Sequence, residues 1–355
     1  MTAVHVVVPD GIDDPARPSG GNVYDRRLCR ELASLGWSVH EHAASGFWDR
    51  PDGSALAVLA GVVRGIPDGA VVLLDGLVAS TAPEVLVPEA RRLRLVVLVH
   101  MPLGDRAPQD ETNGARQREH AVLATAAAVL TTSAWARARI LELYPLALDR
   151  VHVVPPGVDP APLAAGTAAG RALLCVAAVT FDKGHDVLLE ALTMTSDLSW
   201  TCECVGRLDR DPEFVEALRR RAVECGLGGR VQFPGPRAGA ELGHCYAGAD
   251  VMVLASRAET YGMVVAEALA RGLPVIASAV GGVAEALGEG AGGMPPGLLI
   301  APGDPAALAA ALRAWLGDAA LRTRLRRAAR VRRAALSGWS VTASLVAAVL
   351  AGRSR

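Results

Sequence analysis

The chain has 355 residues, is 51% hydrophobic and 21% charged, and carries a formal net charge of −1 at pH 7. That length favours two domains, each able to bury its own core, and the near-neutral balance removes the electrostatic case for a nucleic-acid binder, which needs a clustered basic footprint. The hydrophobic fraction and the 37 glycines exclude a disordered chain. Of the 36 basic residues, 35 are arginine and one, Lys183, is lysine, so Lys183 is either a survivor of compositional drift or a position where arginine will not do.

In chain order, His5–Val8 reads as a strand followed by a Gly/Pro/Asp-rich loop to Gly21. Met1 leads into that run with no basic segment before it, and no signal peptide is expected. Val23–Leu35 has helical periodicity and stops at Gly36; Ser38–His42 is the next strand. Ala70–Leu74 and Leu95–Val99 are continuous apolar runs, the pattern of parallel strands buried on both faces. Val129–Thr131 and Val151–Val154 close the series, with helices expected over Arg116–Ala126 and Ala134–Leu143. Pro155–Thr167 lacks periodicity and reads as a linker.

A second series follows. Strands are expected at Ala172–Val179, Trp200–Val205, Arg230–Phe233, Ala249–Leu254, Pro274–Ala277 and Leu298–Ile300, with helices at Asp186–Met194 and Pro212–Glu224. Beyond Pro305 the pattern is all helical. Leu321–Arg333 holds seven arginines and no acid; such a helix can lie on an anionic membrane surface, or be a solvated outer helix with Leu321, Leu325, Ala328 and Ala329 inward. Trp339–Leu350 is a last apolar helix, and the longest apolar stretches are too short to cross a bilayer. The expected fold class is α/β: two doubly wound domains, 1–160 and 168–335, facing a cleft, with 336–355 a helix packing across the domain junction. The six cysteines form no CxxC pair and the eight histidines no HExxH, so core thiols and no metal site are expected. A soluble, cytoplasmic protein is the expectation.

The most informative segment runs from Ser256 to Val275. It follows a buried strand, so Ser256–Tyr261 falls at the strand's carboxyl end, where ligands of such sheets bind. A helix is expected from about Gly262, with Thr260 placed to cap it. The first amides, at Gly262, Met263 and Val264, then offer a phosphate site. Glu259 before the helix and Glu267 more than a turn inside it can each accept from paired hydroxyls. Lys183-Gly184 follows another strand just before a helix, and an ammonium there can track a diphosphate as its charge grows. His100 stands at the tip of a central strand, able to orient a polar substrate. Ser19-Gly20-Gly21-Asn22 opens a helix and permits close ligand approach, but it is no GxGxxG and Asp10–Pro18 sets it far from the strand.

Together these residues resemble glycosyltransferase family 4, retaining enzymes of the GT-B fold. The resemblance rests on E-x7-E, Glu259 through Glu267, with Gly262-Met263 inside it and Gly272-Leu-Pro-Val275 and Gly281-Gly282-Val-Ala-Glu285 behind. Gly20-Gly21, His100-x-Pro102, Pro156-Gly-Val-Asp159, Lys183-Gly184 and Val231-Gln-Phe-Pro-Gly235 support it in order. The resemblance implies that Glu267 binds the nucleotide ribose and Glu259 the donor sugar. Gly262, Met263, Val264 and Lys183 would hold the diphosphate, with His100 over the sugar from the other domain. Gly206 and the segment around Phe233 would belong to the donor site, the latter flanking the base. Gly20, Gly21 and Asn22 would border the acceptor and phosphate side. No metal and no cofactor is implied beyond the nucleotide sugar, with a small-molecule or lipid-linked acceptor and no nucleic acid as partners. One departure stands out: the arginine usual five residues before the lysine is Ala178 here, and Arg207 or Arg257 are the candidates to replace it. Acceptor choice would rest on loops such as Gly46–Ser54 and Arg106–Gly114. Rival readings are a nucleotide-sugar epimerase or hydrolase, an NAD-dependent oxidoreductase, and a non-catalytic nucleotide-binding subunit.

Overall fold

The structure, a computed structural model, describes residues 2–14, 18–106 and 112–352. The chain divides into two compact units, the first reaching Gly157 and resuming at Gly338, the second spanning Val158–Ser337.

Unit 1 is built on six parallel strands: β1 (Ala3–Pro9), β2 (Ser38–Ala44), β3 (Val71–Asp75), β4 (Arg94–Val99), β5 (Ala128–Thr131) and β6 (Val151–Val153), in the order β2-β1-β3-β4-β5-β6. Its helices are α1 (Gly20–Ser34), α2 (Gly53–Arg64), α3 (Gly76–Ser80), α4 (Pro83–Glu89), α5 (Leu103–Arg106), α6 (Thr112–Thr125) and α7 (Ala134–Leu143). The apolar runs of β3 and β4 lie at the centre because both faces are covered; Val96 and Val97 are wholly buried. The expected loop Gly46–Ser54 runs into α2, which Asp52 caps by accepting from the Ala55 amide at 2.8 Å. The other expected acceptor loop, Arg106–Gly114, lies in part outside the described residues, as does Asp10–Pro18.

Unit 2 repeats the plan with β7 (Ala172–Val176), β8 (Thr201–Val205), β9 (Val231–Gly235), β10 (Val251–Leu254), β11 (Val275–Ser278) and β12 (Gly297–Ile300), all parallel, in the order β12-β11-β10-β7-β8-β9. Its helices are α8 (His185–Met194), α9 (Pro212–Glu224), α10 (Gly239–Gly248), α11 (Met263–Ala270), α12 (Val283–Leu287), α13 (Pro305–Gly317) and α14 (Ala319–Ala334). The strand expected to reach Val179 stops at Val176, where the chain leaves the sheet for the loop carrying Lys183. α14 buries Leu325, Ala328 and Ala329. Several of its arginines tie it to its own unit: Arg326 pairs with buried Asp250 at 2.8 Å, while Arg322, Arg332 and Arg333 donate to backbone carbonyls.

The last helix, α15 (Trp339–Leu350), belongs to unit 1. It packs on α1 through an edge-to-face contact of Trp339 with Tyr24, ring centroids 5.4 Å apart, and Arg94 on β4 donates to the Val349 carbonyl at its end. No single helix among the described residues is long and apolar enough to cross a membrane.

Candidate functional site

In each sheet the strand order reverses once, between β1 and β3 and between β7 and β10. Connections leave such a point in opposite directions and open a crevice at the strand carboxyl ends, the usual ligand site of open α/β sheets. The candidate residues gather at these two places.

In unit 2, Lys183 follows β7 and Glu259 follows β10, neighbouring strands that bring residues 76 apart in sequence into contact. The Lys183 ammonium donates to Glu259 Oε1 at 2.8 Å, and the Ser256 hydroxyl, on a fully buried residue, donates to the same oxygen at 2.9 Å. Both loops approach so closely that glycine is required. Gly184, at φ +66°, would place a Cβ 2.0 Å from the Ala255 carbonyl, and Gly281, at φ +53°, one 1.5 Å from the Glu259 carbonyl. Arg257 locks the two loops together. Its guanidinium grips both Asp186 carboxylate oxygens at 2.7 Å, donates to the Phe181 carbonyl at 2.7 Å and stacks over the Phe181 ring at 4.0 Å.

The helix after Glu259 has Gly262 at its N-cap, at φ +88° in the left-handed region, in place of the expected Thr260. The first amides of α11, at Met263 and Val264, have no partner within the helix. One turn further in, the Tyr246 hydroxyl donates to Glu267 Oε2 at 2.9 Å, leaving Oε1 as an acceptor, and Arg271 lies over the Tyr246 ring. Burial pushes the Glu267 carboxyl above its ordinary value, against the opposing pull of Tyr246 and Arg271. Gly206, after β8, would set a Cβ 1.8 Å from the Ala177 carbonyl, and its amide bonds Gly235 at 3.1 Å, so it closes the ends of β7, β8 and β9 together. Phe233 sits half-buried on β9, on the far side of β7 from β10.

In unit 1, His100 follows β4, and its ring lies 3.2 Å from where a Cβ on Gly21 would stand, which explains the glycine. Gly20, Gly21 and Asn22 form the first turn of α1, capped by Ser19, whose hydroxyl accepts from the Asn22 amide at 3.1 Å. His100 Nε2 lies 2.9 Å from Asp25 on α1 and 3.6 Å from Asp75 at the end of β3. Asp75 also caps α3, accepting from the Leu77 and Val78 amides. Burial lowers the His100 value, but the Asp25 charge and hydrogen bond, then Asp75, outweigh it and hold the imidazole above its ordinary range. Asp75 is pushed up to about 7 by burial and by the Asp25 charge.

Residues 18–162 match the family described as Glycosyltransferase Family 4, and residues 169–332 match Glycosyl transferases group 1. D-inositol 3-phosphate glycosyltransferase 1 of Catenulispora acidiphila is 34% identical over 78% of this chain and 68% of its own length. The chain belongs to glycosyltransferase family 4. It spans about two thirds of the length of the curated relatives of that name. Among solved structures, sucrose-phosphate synthase of Thermosynechococcus elongatus superposes with a TM-score of 0.80 at 22% identity, covering 99% of both chains. Anabaena HepE in complex with UDP-glucose does so with a TM-score of 0.77 at 17% identity, over 99% of this chain and 100% of that one. The fold is GT-B.

Within this family 4 glycosyltransferase, the structure brings together Lys183, Glu259 and the start of α11, and separately His100 with Gly21. Sequence reasoning missed Ser256, Tyr246, Asp25 and Asp75 as partners. Asp25 and Asp75 carried a faint signal: one follows Gly20-Gly21 within a turn, the other ends an apolar strand just before a glycine. The two candidates to replace the missing arginine stand in different surroundings. Val179, next to Ala178, bonds the Arg207 carbonyl at 2.8 Å, and the Arg207 side chain pairs with Asp209, a largely exposed carboxylate. Arg257, by contrast, is committed to Asp186 and Phe181.

Proposed function

We propose that this enzyme is a retaining glycosyltransferase that moves a sugar from a nucleotide-diphosphate sugar to a hydroxylated acceptor, with no metal in the transfer step. The observation that carries the reading is the Lys183–Glu259 pair beside the start of α11, at the switch point of the second sheet. A diphosphate arriving there would take the Lys183 ammonium and the α11 amides. Growing negative charge on the leaving phosphate would be met by fixed donors, the largest catalytic contribution such a site can make. Glu259, held in place by Ser256, would then accept from hydroxyls of the sugar, and Glu267 Oε1 from the ribose. Arg207, whose carbonyl bonds the residue next to Ala178, is the proposed second phosphate cation.

His100, whose imidazole Asp25 and Asp75 hold above its ordinary range, is proposed to donate to a hydroxyl of the transferred sugar. Gly20–Asn22 is proposed to face the acceptor. The relatives' name makes a cyclitol phosphate the first acceptor to assay, and the HepE complex makes a UDP-sugar the first donor. Calorimetry with UDP-, GDP- and ADP-sugars, without added metal, tests the reading. Binding of one class is expected, and failure of every nucleotide to bind above background overturns it. NMR of the product's anomeric proton tests retention, and an inverted product would sink that part.

A further inference from the structure

Beneath the Lys183 loop lies a cluster that the transfer site does not use. Cys175 on β7 and Cys204 on β8 are register partners, and His185 is the first residue of α8, two places after Lys183. All three are buried, at 1%, 1% and 2% exposure, and their ligand atoms lie within 4.8 Å of one another. Cys175 Sγ is 3.6 Å from His185 Nε2. A tetrahedral zinc, with Zn–S about 2.3 Å and Zn–N about 2.0–2.1 Å, separates its sulfur and nitrogen ligands by roughly 3.5 Å. Cys202, two residues back on β8, is also buried.

Among the described residues His185 Nδ1 is buried with no hydrogen-bond partner, so the imidazole is held through Nε2, the nitrogen that faces Cys175. We propose that Cys175, Cys204 and His185 form a structural site for a soft divalent metal, zinc in the first instance. Binding displaces the two thiol protons to solvent, and two thiolates then balance the charge of the ion. No oxidation is involved. Because the site is sealed, the metal would enter as the unit folds. Once bound, it would pin the start of α8 to the sheet and so fix the loop that presents Lys183. The site is separate from the transfer chemistry, and the inference stands whatever nucleotide the enzyme uses.

The test is elemental analysis of the full chain purified from zinc-supplemented medium, together with refolding in cobalt(II). About one zinc per chain and a thiolate-to-cobalt charge-transfer band are expected. Cys175→Ser with Cys204→Ser should lose the metal at least tenfold, His185→Ala should lower it, and His185→Cys should restore it, which a packing role would not do. If the variants fail to fold, the wild type still decides. A zinc content below a tenth of an equivalent with no cobalt band overturns the proposal, as does a mass deficit showing a Cys175–Cys204 disulfide.

Discussion

Lys183 holds a position arginine would fill badly. Its single nitrogen shares Glu259 Oε1 with the Ser256 hydroxyl, and a guanidinium needs a two-pronged acceptor and more width than that oxygen offers. Lys183→Ala should lower kcat/KM by about 10²–10³-fold, the usual cost of removing one preorganised charge donor. Lys183→Arg should recover only a minor part. Steady-state kinetics with the donor identified by calorimetry checks both, and wild-type turnover in the alanine variant would end the phosphate role. In unit 1 the decisive residue is Asp25. With Asp25→Asn the imidazole of His100 loses its main support, and its value should fall relative to the wild type, visible by NMR titration. The sign for stability follows. The raised His100 value stabilises fully below about pH 6.5 and its contribution is lost as pH rises through the folded value. The wild type's thermal advantage over Asp25→Asn should therefore be greatest near about pH 6 and shrink towards about pH 8. An advantage that grows with pH would contradict the assignment.

At the scale of elements, Arg257 binds two loops that leave different strands. Arg257→Ala should free the Lys183 loop, raising KM for the donor more than it lowers kcat. The stability cost should be only about 1 kcal/mol, because the Arg257 and Asp186 side chains are 28% and 37% exposed. Asp186→Ala should reproduce the pattern, and denaturant melts beside kinetics would show it. Equal effects on every substrate parameter would point instead to general unfolding. The elements also differ in how openly the sequence announces them. β3 and β4 were legible because burial on both faces leaves uninterrupted apolar runs. Helices α2, α3 and α4 were not, since Gly53–Arg64 and Gly76–Ser80 are almost wholly small or apolar and carry no 3.6-residue contrast. Glu259 and Lys183 could be read from local spacing. The cluster of Asp25, Asp75 and His100 could not, because only the strand order β1-β3-β4 brings together residues 50 and 25 apart in sequence. The Cys175–Cys204 neighbourhood was hidden for the same reason, being a matter of register between β7 and β8.

At the scale of the molecule, unit 1 is completed by a segment far along the chain. Trp339, Val346, Val349 and Leu350 of α15 are buried, and Gly157 packs against the Trp339 backbone so tightly that a Cβ would lie 2.4 Å from its nitrogen. Ending the chain after Ser337 should abolish the thermal transition of unit 1 while leaving that of unit 2 nearly unchanged. Calorimetry of the shortened chain would show this, and an intact transition for unit 1 would mean that α15 is dispensable.

This nesting imposes a timetable on biosynthesis. The strands of unit 1 emerge before unit 2, yet the helix that covers Tyr24 emerges only after the whole of Val158–Ser337. At roughly 5–20 residues per second, translating the intervening unit takes about 10–35 s. Unit 1 therefore waits with an apolar face open while unit 2 is being made. In a crowded cell, the interrupted unit is the one of the two more in need of a chaperone.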